Sequence, residues 1–300
     1  MAYSIRGRRS LYRGRKRRSS RRAVGKRRTY RSKRRIPRRR RWTTRAILNK
    51  TSQKKYDNML SYSDVETPGT FVQGGARLNA AIAGFYTFTW IATARPAENF
   101  TGTKGSKVDV KVRTNQTIFA RGLKEKIRLQ TLGGVGWSWR RICYTLKGDR
   151  ILGGDVDPTT SEYFRLTSNG MARLVHQESS SRSIQAIFQG QQGQDWENAM
   201  NAKVDTRNIT VMYDRIRTIQ SGNESGVSRH YNLWHPMNKN VVYEDEEAGD
   251  SMFTSAVSTE SRAGMGDYYV TDFFEPNRGG VAGDDDLEFQ PHATFYWHEK

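Results

Sequence analysis

The sequence predicts an all-β sandwich carrying a disordered, strongly basic N-terminal arm. Three observations predict it: cationic charge gathered at one end, short runs of β-branched and aromatic residues separated by turns, and no long stretch of helical periodicity.

The charge comes first. The chain has 300 residues and a net charge of +21, but residues 1–56 hold 25 of the 51 Lys+Arg and no Asp or Glu. Residues 57–300 therefore set 26 Lys+Arg against all 30 Asp+Glu, a net of −4. A segment nearly half cationic and poor in apolar side chains cannot bury enough surface to offset the entropy of ordering. Residues 1–56 are thus expected to be disordered on their own, and residues 57–300 to form one domain with a substantial core.

The arm's chemistry points to a polyanion. The cations expected to bind are Arg6, Arg8, Arg9, Arg13, Arg15, Lys16, Arg17, Arg18, Arg21, Arg22, Lys26, Arg27, Arg28, Arg31, Lys33, Arg34, Arg35, Arg38, Arg39, Arg40 and Arg41, with Tyr12, Tyr30 and Trp42 interleaved. Cations neutralise phosphates, and rings stack on unpaired bases for ~1–3 kcal/mol per base, so single-stranded nucleic acid is the expected ligand. Arg15-Lys16-Arg17-Arg18 and Lys33-Arg34-Arg35 also have the composition of nuclear import signals.

Cys143 is the only cysteine. No intramolecular disulfide can form and no thiolate zinc site can be built within one chain, so a reducing compartment is expected. Met1 to Arg6 lacks the apolar stretch of a secretory leader. Leu78 to Ala94 is uncharged between Arg77 and Arg95, but it is too short and too polar for a membrane span; Phe85 to Ile91 reads as a buried strand.

Ten runs read as strands: 84–91, 107–112, 124–131, 137–146, 162–166, 183–188, 208–219, 241–243, 268–274 and 293–298. Ten suit a sandwich of two sheets with long inter-strand loops. In 124–131, Ile127 and Leu129 share one face, with charged and amide groups assigned to the other. In 137–146 the apolar phase switches after Trp139, implying a bulge or burial on both sides. One short helix is expected at 195–202, from the spacing of Trp196, Met200 and Val204.

Catalytic or metal-binding sets do not stand out. Gly102-Thr103-Lys104-Gly105-Ser106-Lys107 has the wrong spacing for a phosphate loop, and Gly134-Val135-Gly136 lacks a third glycine. His176, His230, His235, His292 and His298 contain no metal-ligand spacing, and His235 is expected to pack beside Trp234 and Pro236. The acidic clusters at 244–247 and 284–286 read as solvated or partnered loops in preference to calcium sites. No base for Cys143 is identifiable. No cofactor and no enzymatic activity are expected.

Trp137-Ser138-Trp139-Arg140-Arg141-Ile142-Cys143-Tyr144 is followed by Tyr213-Asp214-Arg215-Ile216-Arg217-Thr218-Ile219 and Ser221-Gly222-Asn223. Then come Trp234-His235-Pro236-Met237-Asn238-Lys239-Asn240 and acidic Glu244 to Glu247. In this order, behind an Arg-rich arm, these segments resemble capsid proteins of the genomoviruses, the gemycircularvirus-like relatives of plant geminiviruses; the match covers about residues 120–250. The resemblance implies an eight-stranded jelly roll and an icosahedral T=1 shell of sixty copies. It further implies packaging of a circular single-stranded DNA genome, contact with host nuclear import receptors, and residence in the virion and the host nucleus, with no membrane. Geminivirus coat proteins carry a Cys/His zinc-finger-like element, which a chain with only Cys143 cannot reproduce, so no zinc is carried over. The competing reading is a cellular basic nucleic-acid-binding protein, ribosomal or chromatin-like, with a β-sandwich body.

Overall fold

The computed structural model describes residues 42–277 and 280–300. Eight principal strands make up the body: β1 (Gln53–Met59), β2 (Tyr86–Ile91), β3 (Thr117–Thr131), β4 (Trp137–Leu146), β5 (Thr210–Ile219), β6 (Val227–Val242), β7 (Asp267–Pro276) and β8 (Leu287–Glu299). Their pairing is nested and antiparallel. β1 pairs β8, β2 pairs β7, β3 pairs β6 and β4 pairs β5, as in one long hairpin that has been rolled up. Rolling places them in two sheets, β1-β8-β3-β6 and β5-β4-β7-β2, which is the eight-stranded jelly roll.

Alternation explains most of the first sheet. β8 buries Leu287, Phe289, Ala293, Phe295 and Trp297 and turns Gln290, His292, Thr294, Tyr296 and His298 outward. β3 alternates in the same way until Arg121, which is skipped in the pairing with both β8 and β6. That bulge moves the pattern by one residue, so Gly122 and Leu123 are both buried. A Cβ on Gly122 would come within 2.7 Å of the Trp234 ring and 2.6 Å of the His235 carbonyl, so glycine makes the room that β6 occupies.

The phase switch in β4 comes from burial on both sides. Trp139, Arg141 and Cys143 point between the sheets, where the Trp139 ring stacks on Phe274 at 5.9 Å. Arg140, Ile142 and Tyr144 lie under the long excursion of residues 147–209, whose Ala199 and Ala202 carbonyls accept from Arg140 at 2.7 and 2.8 Å. β4 itself pairs without a bulge; the register slips instead in its neighbour, between Val211 and Tyr213.

Several sequence expectations are corrected. Of residues 183–188 all but Phe188 are helical, forming α2 (Arg182–Ile187) after α1 (Thr44–Thr51), while Phe188 is extended and bridges Val204. Residues 195–202 form turns, and Trp196 reaches Phe188 at 4.9 Å from a loop. No strand forms over 107–112, where Ser106 and Asp109 close a turn, and of 162–166 only Leu166 is paired. The stretch 241–243 is the tail of the much longer β6. The sheet begins at Gln53, so its first strand takes in the last four residues that charge alone assigned to the arm.

β1 was hidden because its inward positions are partly charged. Lys55 faces Glu299 at 3.2 Å and Asp57 faces Arg95 at 2.6 Å, all of them buried, while Lys54 points outward. Asp57→Ala strands the Arg95 guanidinium and is expected to cost about 3–5 kcal/mol. Lys54→Ala, one residue away, should change stability by about 0.5 kcal/mol or less. Urea unfolding of the two variants checks the facing of the strand.

Candidate functional site

The arm residues proposed to grip nucleic acid, 6 to 41, lie outside the described residues. Trp42, the last of that set, is exposed and precedes Thr43, whose hydroxyl accepts from the Ala46 amide and caps α1. α1 runs directly into β1 at the edge of the first sheet, so the chain enters the body at that edge.

The densest assembly of ionisable groups lies between the sheets. Alternation along β3 puts Glu125 in phase with Ile127 and Leu129, contrary to the facing expected from the sequence. β4 presents Arg141 in phase with Trp139, and β7 presents Asp272 in phase with Phe274. A short strand, Arg173–Val175, runs parallel to Ser61–Ser63 and adds Arg173. None of the four charged side chains is exposed.

Arg141 grips Asp272 with two bonds of 2.7 Å and also donates to Glu125. Arg173 donates to Glu125 and to Asp272, each at 3.0 Å, and its third donor meets the Leu174 carbonyl at 2.7 Å. Trp139 adds an indole N–H to Asp272 at 2.8 Å. The guanidinium of Arg173 lies 4.5 Å from the Trp90 ring and that of Arg141 lies 5.1 Å from Trp139. Two cations and two anions cancel, and each remaining donor finds an acceptor, which such a cluster needs to survive desolvation. Burial opposes ionisation of Glu125, but Arg141 and Arg173 outweigh it and hold the carboxyl well below the usual range. Burial likewise opposes the charge on Arg141, and Asp272 and Glu125 outweigh it.

His235 completes the cluster from β6. Its ring does not pack beside Trp234 and Pro236; it points inward, with Nε2 3.6 Å from Glu125 and its edge against Tyr213. It also contacts Cys143. A thiol, an imidazole and a carboxylate thus lie in sequence, a grouping that the linear spacing gave no sign of. All three are buried, and the two principal surface pockets, beside Phe100 and Met171 and beside Gly133 and Asn223, do not reach them. The arrangement ties the two sheets together.

One carboxylate in each acidic cluster is held by the protein's own cations, while Glu244, Glu246 and Glu247 are exposed. Asp245 accepts two bonds from Arg113, at 2.6 and 2.9 Å, and Asp286 accepts from Arg77 at 2.9 Å and from the Ala80 amide at 3.1 Å. Among the described residues, no group of three or more His, Cys, Asp and Glu is arranged to hold a metal ion. No helix among them is long and apolar enough to cross a membrane.

Comparison with known proteins adds little. No family model matches the chain, and no curated protein does. Among solved structures, VP1 of Trichodysplasia spinulosa-associated polyomavirus, solved in complex with 3'-sialyllactose, aligns over 82% of this chain and 75% of its own, at 7% identity and a TM-score of 0.12. The VP1 pentamer of human polyomavirus 6 aligns over 83% and 95%, at 9% identity and a TM-score of 0.13. At these scores the topology rests on the strand pairing alone.

Removing one partner of the cluster leaves an uncompensated charge in the core. Arg141→Met is expected to cost about 3–5 kcal/mol. Stability should also depend on pH through His235. Burial opposes its charge, but Cys143 and Glu125 outweigh it and raise its pKa to about 9 from the ordinary 6.5. A raised pKa contributes stability that is complete below about pH 6.5 and lost as pH rises through 9. Urea midpoints should therefore fall between those limits in the wild type, by roughly 3 kcal/mol in total, and stay flatter in His235→Gln.

Proposed function

We propose that this chain is the capsid protein of a small single-stranded DNA virus of the genomovirus kind. In this reading the jelly-roll body tiles with copies of itself into a closed T=1 shell of sixty subunits, and the arm neutralises the circular genome inside. The chain's work is structural, and its arm is read by host import receptors before assembly, placing it in the host nucleus and then in the virion.

One observation carries the reading: a jelly roll whose residues 53–300 carry a net charge of only −2 is fused to a leader, residues 1–52, with 23 cations and no acids. Subunits that pack side by side must not repel one another, whereas a strand of phosphates must be neutralised. Sixty arms of residues 1–52 would bring 60 × 23 = 1380 positive charges, matching roughly 1400 nucleotides at one phosphate each, which is the scale of a small viral genome.

The test is nuclease protection. Circular single-stranded DNA titrated with the full chain should become resistant to nuclease, saturating near one protein per about 23 nucleotides. DNA that stays digestible at every ratio would contradict the proposal.

A further inference from the structure

The two outer faces of the sandwich are treated differently. The outer face of β4, β7 and β2 is buried under residues 147–209, with β5 left as a largely exposed edge, whereas β1-β8-β3-β6 turns its outer face to solvent. That open face is strongly one-sided in charge. Its outward positions include Lys54 on β1 and Arg121, Lys124, Lys126 and Arg128 on β3, against one carboxylate, Glu288, at the start of β8.

Aromatic rings run across the same face from strand to strand. Tyr56 stacks on Tyr296 at 6.1 Å with 29° between the planes, and Tyr296 meets Trp234 at 5.9 Å. Tyr56 is 44% exposed and Trp234 49% exposed, which is unusual for rings that large. Cations flank them in register: Lys124 sits opposite Trp234 and Thr294, and Lys126 sits opposite Asn232 and His292. The field is felt locally, since partial burial together with Lys54 and Arg121 depresses the basicity of His298.

We infer that this face, built around Tyr56, Tyr296 and Trp234 and flanked by Lys124 and Lys126, is a stacking platform for single-stranded nucleic acid, separate from the arm. A sheet face bearing half-exposed rings between cations suits unpaired bases, whose faces are free to stack; a duplex hides those faces and offers only phosphates and groove edges. The cations supply the charge that neutralises phosphates and the rings supply the faces on which unpaired bases stack, so single-stranded nucleic acid engages both features of the face at once. The inference rests on the proposed function only for the identity of its ligand.

The test uses the full chain. It is irradiated with ultraviolet light on oligo(dT), and the crosslinked peptides are mapped by mass spectrometry. Crosslinks are expected on Trp234, Tyr296 or Tyr56 as well as within residues 1–56. At about 0.5 M salt, where phosphate contacts weaken, Trp234→Ala/Tyr296→Ala should lose about fivefold or more in affinity for oligo(dT) with duplex affinity nearly unchanged. Lys124→Gln/Lys126→Gln, which keeps the rings, should lower the salt dependence of binding. Crosslinks confined to residues 1–56, or ring variants that bind oligo(dT) as the wild type does, overturn the platform and leave the arm intact. Crosslinks on the sheet alone would overturn the arm's role and leave the platform. Ring variants that alter self-association without altering DNA binding would make the face a subunit contact and overturn the inference.

Discussion

Arg141 and Arg173, sealed between the sheets with Glu125 and Asp272, impose the constraint on which the fold depends. Each residue arrives on a different strand, and each must arrive facing inward. A slip of one residue in β3, β4 or β7 would turn its charged member to the other face and leave a bare charge in the core. Apolar residues could fill the same volume with comparable stability, but a purely apolar interior would tolerate such slips far better. The cluster therefore acts on register: it ties β3 of one sheet to β4 and β7 of the other and, through Arg173, fixes the base of the long excursion that roofs the second sheet.

The same logic of paired charge recurs at the margins. Lys55 with Glu299 and Asp57 with Arg95 fasten the first strand to the body, and Arg113 with Asp245 fastens the crossing that leads into β3 to the loop after β6. The body thus absorbs many of its own ions internally. What it leaves outside is uneven, with a cationic, ring-bearing face on one sheet and a covered face on the other. The excess positive charge of the chain is gathered in the residues that precede the first strand, among which there is no Asp or Glu.

How far the sequence could be read follows from where each strand puts its charges. β4, β7 and the second half of β8 are legible because their inward positions are mostly aromatic or aliphatic, whereas residues 287–292 of β8 are not read as strand. β1 was not, because Lys55 and Asp57 occupy inward positions and only their partners make that tolerable. Most of β6 was missed because an edge strand with one wet face reads as polar loop: His230, Asn232 and Trp234 all point to solvent. The helix α2 was read as a strand from the β-branched and aromatic content of residues 183–188, and no local signal marks its switch. Glu125 could have been found, since it shares its parity with Ile127 and Leu129; a charged residue in phase with an apolar face is a sign of a buried ion pair. The contact of His235 with Glu125 and Cys143 depends on the nested pairing of strands far apart in the chain, which the sequence does not display.

The central claim is that a cation-rich leader and a near-neutral jelly roll are two halves of one assembly device. Electron microscopy of the purified full chain tests it most directly, because the device has one visible product. The account predicts closed, uniform, small icosahedral particles with internal density that disappears when the nucleic acid is removed. A chain that remains dispersed as single subunits in the presence of single-stranded DNA would contradict it.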